Sequence, residues 1–324
     1  MTLALKMTAT IKNGLLLLGF ILIIAPETHW AQSASNAHRH YLPVLKTANC
    51  NPKKGVALAY GWAANPMGQD ILCTGTQMRW EIQNSGNNRS RELQTWWDDC
   101  WPSTEECTVD YFADLLWLAA QTDYSQMITH NGYPVVKFLN EPDNASQAAR
   151  SPQEAVELYR QVVAICPHCV FTLPAISAFD HFCDWPEREW LPFHDDIIDG
   201  GEWCWSRAFL AGLEPHERDN FEVCNVHHYY SNIRHELRRN IAPLEPADSL
   251  AAVVGCSYFV ISEYGTCDPA WMTALTNAYN ADERVIAFYA YTVNKPDNTC
   301  DVLMNWHTGQ LTDVGRAFAE AGNN

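Results

Sequence analysis

From about residue 50 the chain alternates short apolar runs with longer stretches of helical spacing. The runs are Val56–Trp62, Met78–Gln83, Leu93–Asp99, Val135–Asn140, Val170–Ser177, Phe221–Tyr230, Ser257–Gly265 and Val285–Val293. Each is short and bounded by turn formers, which predicts buried strands. Between and after them, Thr108–Gln121, Ser151–Ile165, Ala270–Asn280 and Leu311–Ala321 carry apolar residues at helical spacing. Ser151–Ile165 has a full start signal: Ser151 to cap, Pro152 at the first position and Glu154 to complete a capping box. Apolar strands alternating with helices predict a parallel sheet of the α/β class. Eight such units fit a single-domain (β/α)8 TIM barrel. The alternative is a doubly wound open sheet, but no G-x-G-x-x-G follows the first strand, against a dinucleotide-binding version.

The first 34 residues follow a different pattern. Lys6 and Lys12 precede the apolar run Gly14–Ala25, and small residues follow in Ala31–Ala37. That order predicts a cleaved secretory signal over 1–34. The run is shorter than the roughly 20 residues a membrane span needs. An uncleaved anchor is the alternative. Residues 35–50 read as an N-terminal extension and 51–324 as the single barrel domain. The expected location is extracellular, free or attached to the cell surface, with no stable membrane insertion after processing.

Composition narrows the partners. A formal charge of −17 with no basic patch argues against nucleic acid. All 12 cysteines lie beyond the signal, and an even count in an exported chain predicts disulfides. Cys100–Cys107, Cys183–Cys204 and Cys267–Cys300 are the expected pairs. Cys166-Pro-His-Cys169 could instead be half a zinc site or a redox pair. No second C-x-x-C follows it, and it ends a helix rather than opening one, so neither metal nor any other cofactor is expected. A monomer is expected.

The chemistry gathers at the strand ends. In a barrel, catalytic groups sit where strands finish. The fourth predicted strand finishes in Asn140-Glu141-Pro142, the sixth in His227-His228-Tyr229-Tyr230 and the seventh in Ser262-Glu263-Tyr264-Gly265, while the eighth carries Tyr289 and Tyr291. Glu141 and Glu263 would face each other across one mouth. Such a pair suits glycosidic bond cleavage: one carboxyl protonates the leaving oxygen, and the other attacks the sugar or activates water. Asn-Glu-Pro-Asp could also be an ordinary turn. His227 and His228 with Cys224 could suggest zinc, but adjacent strand residues point to opposite faces.

Phe138–Asp143 together with Ile261–Gly265 resembles the clan of retaining (β/α)8 glycoside hydrolases. The resemblance spans roughly Val56 to Ala321. Val226–Tyr230 is similar to that clan's His-x-Tyr strand, and Leu311–Ala321 to its last helix. Within the clan, the compact layout resembles the small catalytic cores grouped with endo-β-1,3-glucanases. The resemblance implies that Glu141 is the acid/base and Glu263 the nucleophile. It implies that Asn140 binds the sugar 2-hydroxyl and that Tyr229 holds Glu263 by a hydrogen bond. His227 would share the strand face of Tyr229. Tyr291 stands where the clan has a Trp under the reacting sugar, which alters the shape of the central subsite.

Trp80, Trp96, Trp97 and Trp101 are core or sugar platforms, with Trp80 and Trp97 the expected substrate contacts. The expected substrate is a β-glucan or another β-linked glycan. A non-catalytic carbohydrate-binding barrel is the main alternative, against which intact Glu141, Glu263, Asn140 and Tyr229 argue. A disulfide-stabilised acidic scaffold gives no reason for two strand-end glutamates, and a redox protein is disfavoured because Cys166-Pro-His-Cys169 follows a helix. Asn88 and Asn144 stand in glycosylation sequons.

Overall fold

The computed structural model describes residues 50–57, 72–79, 91–96, 116, 119–120, 122–143, 147, 150–176, 203–230, 242–293, 299–305 and 308–322. These lie in one compact unit, Leu45–Asn324. Its strands are β1 (Asn51–Ala57), β2 (Thr74–Arg79), β3 (Arg91–Trp96), β4 (Thr129–His130), β5 (Tyr133–Phe138), β6 (Val170–Phe171), β7 (Val223–Tyr230), β8 (Tyr258–Thr266) and β9 (Val285–Ala290). The described helices are α1 (Pro152–Ile165), α2 (Cys204–Ala211), the single turn α3 (Pro215–Arg218), α4 (Glu245–Val254), α5 (Pro269–Ala281) and α6 (Asp313–Glu320).

The strands form a curled sheet in the order β4-β5-β3-β2-β1-β9-β8-β7, with β6 also paired to β5. Every named pairing is parallel except the β4–β5 hairpin. The chain beyond β6 passes through Pro174, which has no N–H to give a ladder. Parallel bridges nevertheless continue past it, from Asn140 to Ala175 and from Leu173 to Cys224. In the second, Leu173 N donates to Val223 O at 2.9 Å, linking the segment after β6 to β7.

Side-chain alternation gives the sheet two apolar faces, as expected of parallel strands covered on both sides. Val136, Phe138, Phe171, Val226 and Phe288 join the helices in one core. Met78, Leu93, Val135, Val223, Val260 and Tyr289 form a second cluster on the inner face. Gly55 makes room there, because a Cβ on it would lie 2.5 Å from the Tyr289 ring. The helices start where their caps dictate. In α1, Ser151 Oγ accepts from Glu154 N at 3.2 Å and Glu154 Oε2 accepts from Ser151 N at 2.8 Å, completing the predicted capping box. Such a cap stabilises by about 1 kcal/mol.

The first three strands begin earlier than their apolar runs. β1 shares only Val56 and Ala57 with the predicted run, because its start, Pro52-Lys53-Lys54, reads as polar. Lys54 is nevertheless buried, donating from Nζ to Ala321 O at 2.8 Å and Ala319 O at 3.1 Å at the end of α6. Burial lowers its pKa to about 7. In β2 and β3 the polar Gln77 and Glu92 are buried together, Gln77 Nε2 donating to Glu92 Oε1 at 2.7 Å. The predicted helix at 108–121 lies outside the described residues, except that Leu116, Ala119 and Ala120 are helical.

Among the described residues, four disulfides join Cys50–Cys73, Cys166–Cys169, Cys224–Cys256 and Cys267–Cys300. The last was expected. The Cys166–Cys169 and Cys224–Cys256 bonds take these sulfurs out of the zinc readings. The side chains of Cys100, Cys107, Cys183 and Cys204 lie outside the description. Among the described residues, no helix is long and apolar enough to cross a membrane.

Candidate active site

β5 delivers the first carboxylate through a kinked end. Val135 and Lys137 point to the inner face, while Val136 and Phe138 face the helices. Beyond Phe138 the backbone enters the left-handed region twice, at Leu139 (φ 54°) and Glu141 (φ 40°). For residues with a Cβ this conformation costs about 1–3 kcal/mol each. The ladder holds the kink in place: Leu139 N donates to Trp96 O at 3.0 Å and Glu141 N to Ala175 O at 2.9 Å. Pro142, with no N–H, ends it there.

β8 delivers the second carboxylate through a bulge. Val226 pairs with Ile261, but His227 pairs with Glu263, leaving Ser262 as an extra residue. The pairing with β9 shifts over the same stretch. A bulge re-aims the side chains that follow it. Val260 lies on the inner face and Tyr264 on the helix-facing side, so strict alternation is broken between them and Glu263 turns inward.

Between the carboxylates stands His227. Its Nδ1 is 2.9 Å from Glu141 Oε1 and its Nε2 is 3.0 Å from Glu263 Oε1. An imidazole can donate to both only when protonated. His228 points the other way, with Nδ1 2.5 Å from the Tyr279 hydroxyl of α5. Tyr229, on the same face as His227, donates its hydroxyl proton to Glu263 Oε2. Tyr291 meets the Tyr229 ring edge-on at 6.0 Å. Asn140 Nδ2 donates to Gln147 Oε1 at 3.2 Å. Lys137, fully buried, sits beneath this layer: its Nζ is 2.6 Å from Asn140 Oδ1, 3.3 Å from Glu263 Oε1 and 3.4 Å from His227 Nε2.

These charges set the protonation of Glu263. Burial alone would raise its pKa. The charges of His227 and Lys137 and the hydrogen bonds from His227 and Tyr229 outweigh burial and hold it at about 2. Burial lowers the pKa of Lys137, partly opposed by Glu263 and Glu141. His227 is raised: burial works against its charge, but Glu263 and Glu141 more than compensate. The Tyr229 hydroxyl is pushed well up by burial and by Glu263, so it remains a donor.

Glu141, His227 and Glu263 each place one atom within 4.8 Å of the others. Carboxylate and imidazole are metal-ligand types, but here the cation they face is the Lys137 ammonium. What the arrangement can do is chemistry with two carboxyls, one firmly ionised.

Six expected site residues thus converge: Glu141, Glu263, Asn140, His227, Tyr229 and Tyr291. Trp80 and Trp97, with Trp101, lie outside the described residues. Trp96 is fully buried on the helix side, with its ring 5.7 Å from that of Phe171, so it is core and not a sugar platform. Tyr289 is also filling, its hydroxyl 3.1 Å from Thr76 Oγ1. Lys137 and Gln147 were not anticipated. The available signal for Lys137 was a lysine two residues after Val135, on the inward parity of an apolar strand.

The sequence matches the model of the glycosyl hydrolase catalytic core family over residues 81–318. No curated protein matches it. Solved structures similar to this one include a GH128 (subgroup I) endo-β-1,3-glucanase from Amycolatopsis mediterranei in complex with laminaritriose. The TM-score is 0.56 and the identity 16%, over 84% of this chain and 100% of that one. A GH128 (subgroup II) endo-β-1,3-glucanase from Pseudomonas viridiflava has a TM-score of 0.54 and 15% identity, over 83% and 97% of the two chains. A GH128 (subgroup III) curdlan-specific exo-β-1,3-glucanase from Blastomyces gilchristii, in complex with glucose, has a TM-score of 0.54 and 17% identity, over 83% and 100%.

Proposed function

Because the chain belongs to the glycosyl hydrolase catalytic core family and is a glycoside hydrolase, we propose that it is a secreted, retaining β-glucanase acting on β-1,3-linked glucan. The observation that supports the retaining mechanism is that one carboxylate oxygen of Glu141 and one of Glu263 lie within 4.8 Å of each other, with the His227 ring bridging the two carboxylates. A spacing of about 5–5.5 Å suits direct attack on the sugar, whereas inversion needs about 6.5–9.5 Å to admit water. The β-1,3 linkage rests on the resemblance and on the substrates of the similar GH128 structures.

Glu263, ionised, attacks the anomeric carbon from below while Glu141 protonates the departing oxygen. A covalent glycosyl-enzyme forms on Glu263. Glu141, now a carboxylate, takes a proton from water, which attacks the same carbon and releases a sugar of retained configuration. Tyr229 and His227 aim Glu263, and Asn140 donates to the sugar 2-hydroxyl. Tyr291, with Trp80 and Trp97, bounds the sugar subsites. The sheet closes between β6 and β7 as a (β/α)8 barrel, the catalytic domain spans 51–324, and residues 1–34 direct export and are removed. The protein acts as a monomer.

The test is hydrolysis of a panel of laminarin, curdlan, mixed-linkage glucan, xylan and mannan, with proton NMR of the first product. Cleavage of the β-1,3-glucans with the β-anomer formed first is expected. The α-anomer first would refute retention, and cleavage of xylan or mannan alone would refute the substrate.

A further inference from the structure

An ammonium buried within a sheet is costly unless side chains or backbone groups take up its charge. The strand does not need it: Val135, the inward residue before it on β5, shows what suffices for packing. Lys54, also buried, directs its charge to backbone carbonyls at the end of α6, a structural use. Lys137 instead directs its charge to two side chains of the candidate site, Asn140 and Glu263, with the second cation, His227, 3.4 Å away.

An ammonium can only donate. The atom of Asn140 that lies 2.6 Å from Lys137 Nζ must therefore be the amide oxygen. This fixes which way the amide faces, since its two ends are otherwise hard to tell apart. With Oδ1 held below, Asn140 can offer the sugar only an N–H. The same ammonium lies 3.3 Å from Glu263 Oε1 and favours the charged nucleophile.

We propose that Lys137 is a positioning residue: its ammonium locks the Asn140 amide with its N–H toward the substrate and, through the same contact set, keeps Glu263 ionised and in place. The assignment rests on the proposed glycosidase reading. Charged and titratable groups reach Glu263 from several elements. Lys137 comes from β5, Glu141 from the turn after it, and His227 and Tyr229 from β7, with Tyr291 beside Tyr229. Removing Lys137 leaves His227 as the remaining cation of this set.

The experiment compares wild type, Lys137→Met, Asn140→Ala and the double variant on laminarin and on an aryl β-laminarioside. Thermal melts establish folding, and Lys137→Gln replaces the Met variant if that does not fold. Lys137→Met is expected to lower kcat/KM by about 10²–10³, the loss typical of one preorganised donor. The fall should lie mainly in kcat. The acid limb of the pH profile should rise by about 1–3 units, because removing a cation raises a neighbouring carboxyl's pKa. In the Asn140→Ala background the same substitution should cost much less, since the two residues act as a unit.

A folded neutral variant within threefold of wild type, with an unmoved acid limb, overturns the assignment, and so do fully multiplicative losses. A carbon-13 titration of the Glu263 carboxyl decides the electrostatic part without turnover: its pKa should rise in Lys137→Met, and an unchanged value overturns it. If wild type cleaves no β-glycan while that titration shifts, the proposed function fails and the role of Lys137 toward Glu263 stands.

Discussion

His227→Gln separates charge from position at the two carboxylates. His227 bridges them at 2.9 and 3.0 Å from its two ring nitrogens. With charge centres about 4 Å apart and an effective dielectric of about 20, imidazolium and carboxylate attract by about 4 kcal/mol. That is about three pKa units on Glu263 at most, the top of the range for a neighbouring opposite charge. Glutamine is neutral and can keep one hydrogen bond but not both. Glu263 is held at about 2 with His227 present; without that charge it should titrate at about 4–5.

At pH 7 Glu263 is ionised either way, so the variant should lose only the positional share. For one hydrogen bond that is about 1–1.5 kcal/mol, or about tenfold in kcat/KM. At pH 4 about a tenth to a half of the nucleophile remains charged in the variant but nearly all of it in wild type. The deficit should therefore widen as pH falls, reaching up to about a hundredfold. The assay is kcat/KM on an aryl β-laminarioside from pH 4 to 8, with intrinsic fluorescence to confirm folding at each pH. A deficit that stays constant across that range refutes the reasoning, because His227 would then contribute geometry and no charge.

Other expectations follow from the same contacts. Tyr229→Phe removes a donor to Glu263 Oε2; it should also raise the acid limb of kcat/KM, by less than His227→Gln because no full charge is lost. Replacing Cys224 and Cys256 by serine opens a long loop, their sequence separation being 32, and should cost about 3–4 kcal/mol of stability by loop-closure entropy. The same change at Cys166 and Cys169, separated by 3, should cost about 2 kcal/mol, both read from denaturant midpoints. Thiol titration of the denatured, unreduced mature protein should find few free groups; ten or more would contradict the disulfide assignment. Glu141→Ala should nearly abolish cleavage of natural glucan but spare the first step on a substrate with an activated aryl leaving group, so that a glycosyl-enzyme accumulates in the mass spectrum.

The outline of the fold was legible where one rule dominated. The capped helix α1, the long strands β7 and β8 and the pairing of Glu141 with Glu263 follow from periodicity and strand-end position. What was not legible came from polar residues that the tertiary structure satisfies. Lys53 and Lys54 hid the start of β1, and Gln77 and Glu92 hid the true extent of β2 and β3. The β4–β5 hairpin was signalled by Asn131-Gly132, both with positive φ as such turns require, but a two-residue strand leaves no periodicity to notice. α4 was not among the predicted helices, although its proline stands at the helix start, where proline is favourable. The inward turn of Glu263 depends on a bulge at Ser262, which alternation alone would have placed differently. Lys137 was hidden by its own strand: one charge among apolar residues looks tolerated until its partners are seen.

The central claim, that Glu141 and Glu263 divide the work of a double displacement, is tested most directly by azide rescue. Azide needs no general base, so in Glu141→Ala it should take the place of water in the second step and give a β-glycosyl azide of retained configuration. In Glu263→Ala it should fill the space of the missing carboxylate and attack from that side, giving the α-glycosyl azide. NMR of the two products reads both configurations. A β-azide from Glu141→Ala with an α-azide from Glu263→Ala is the predicted result, and the opposite pair would show that the roles are reversed.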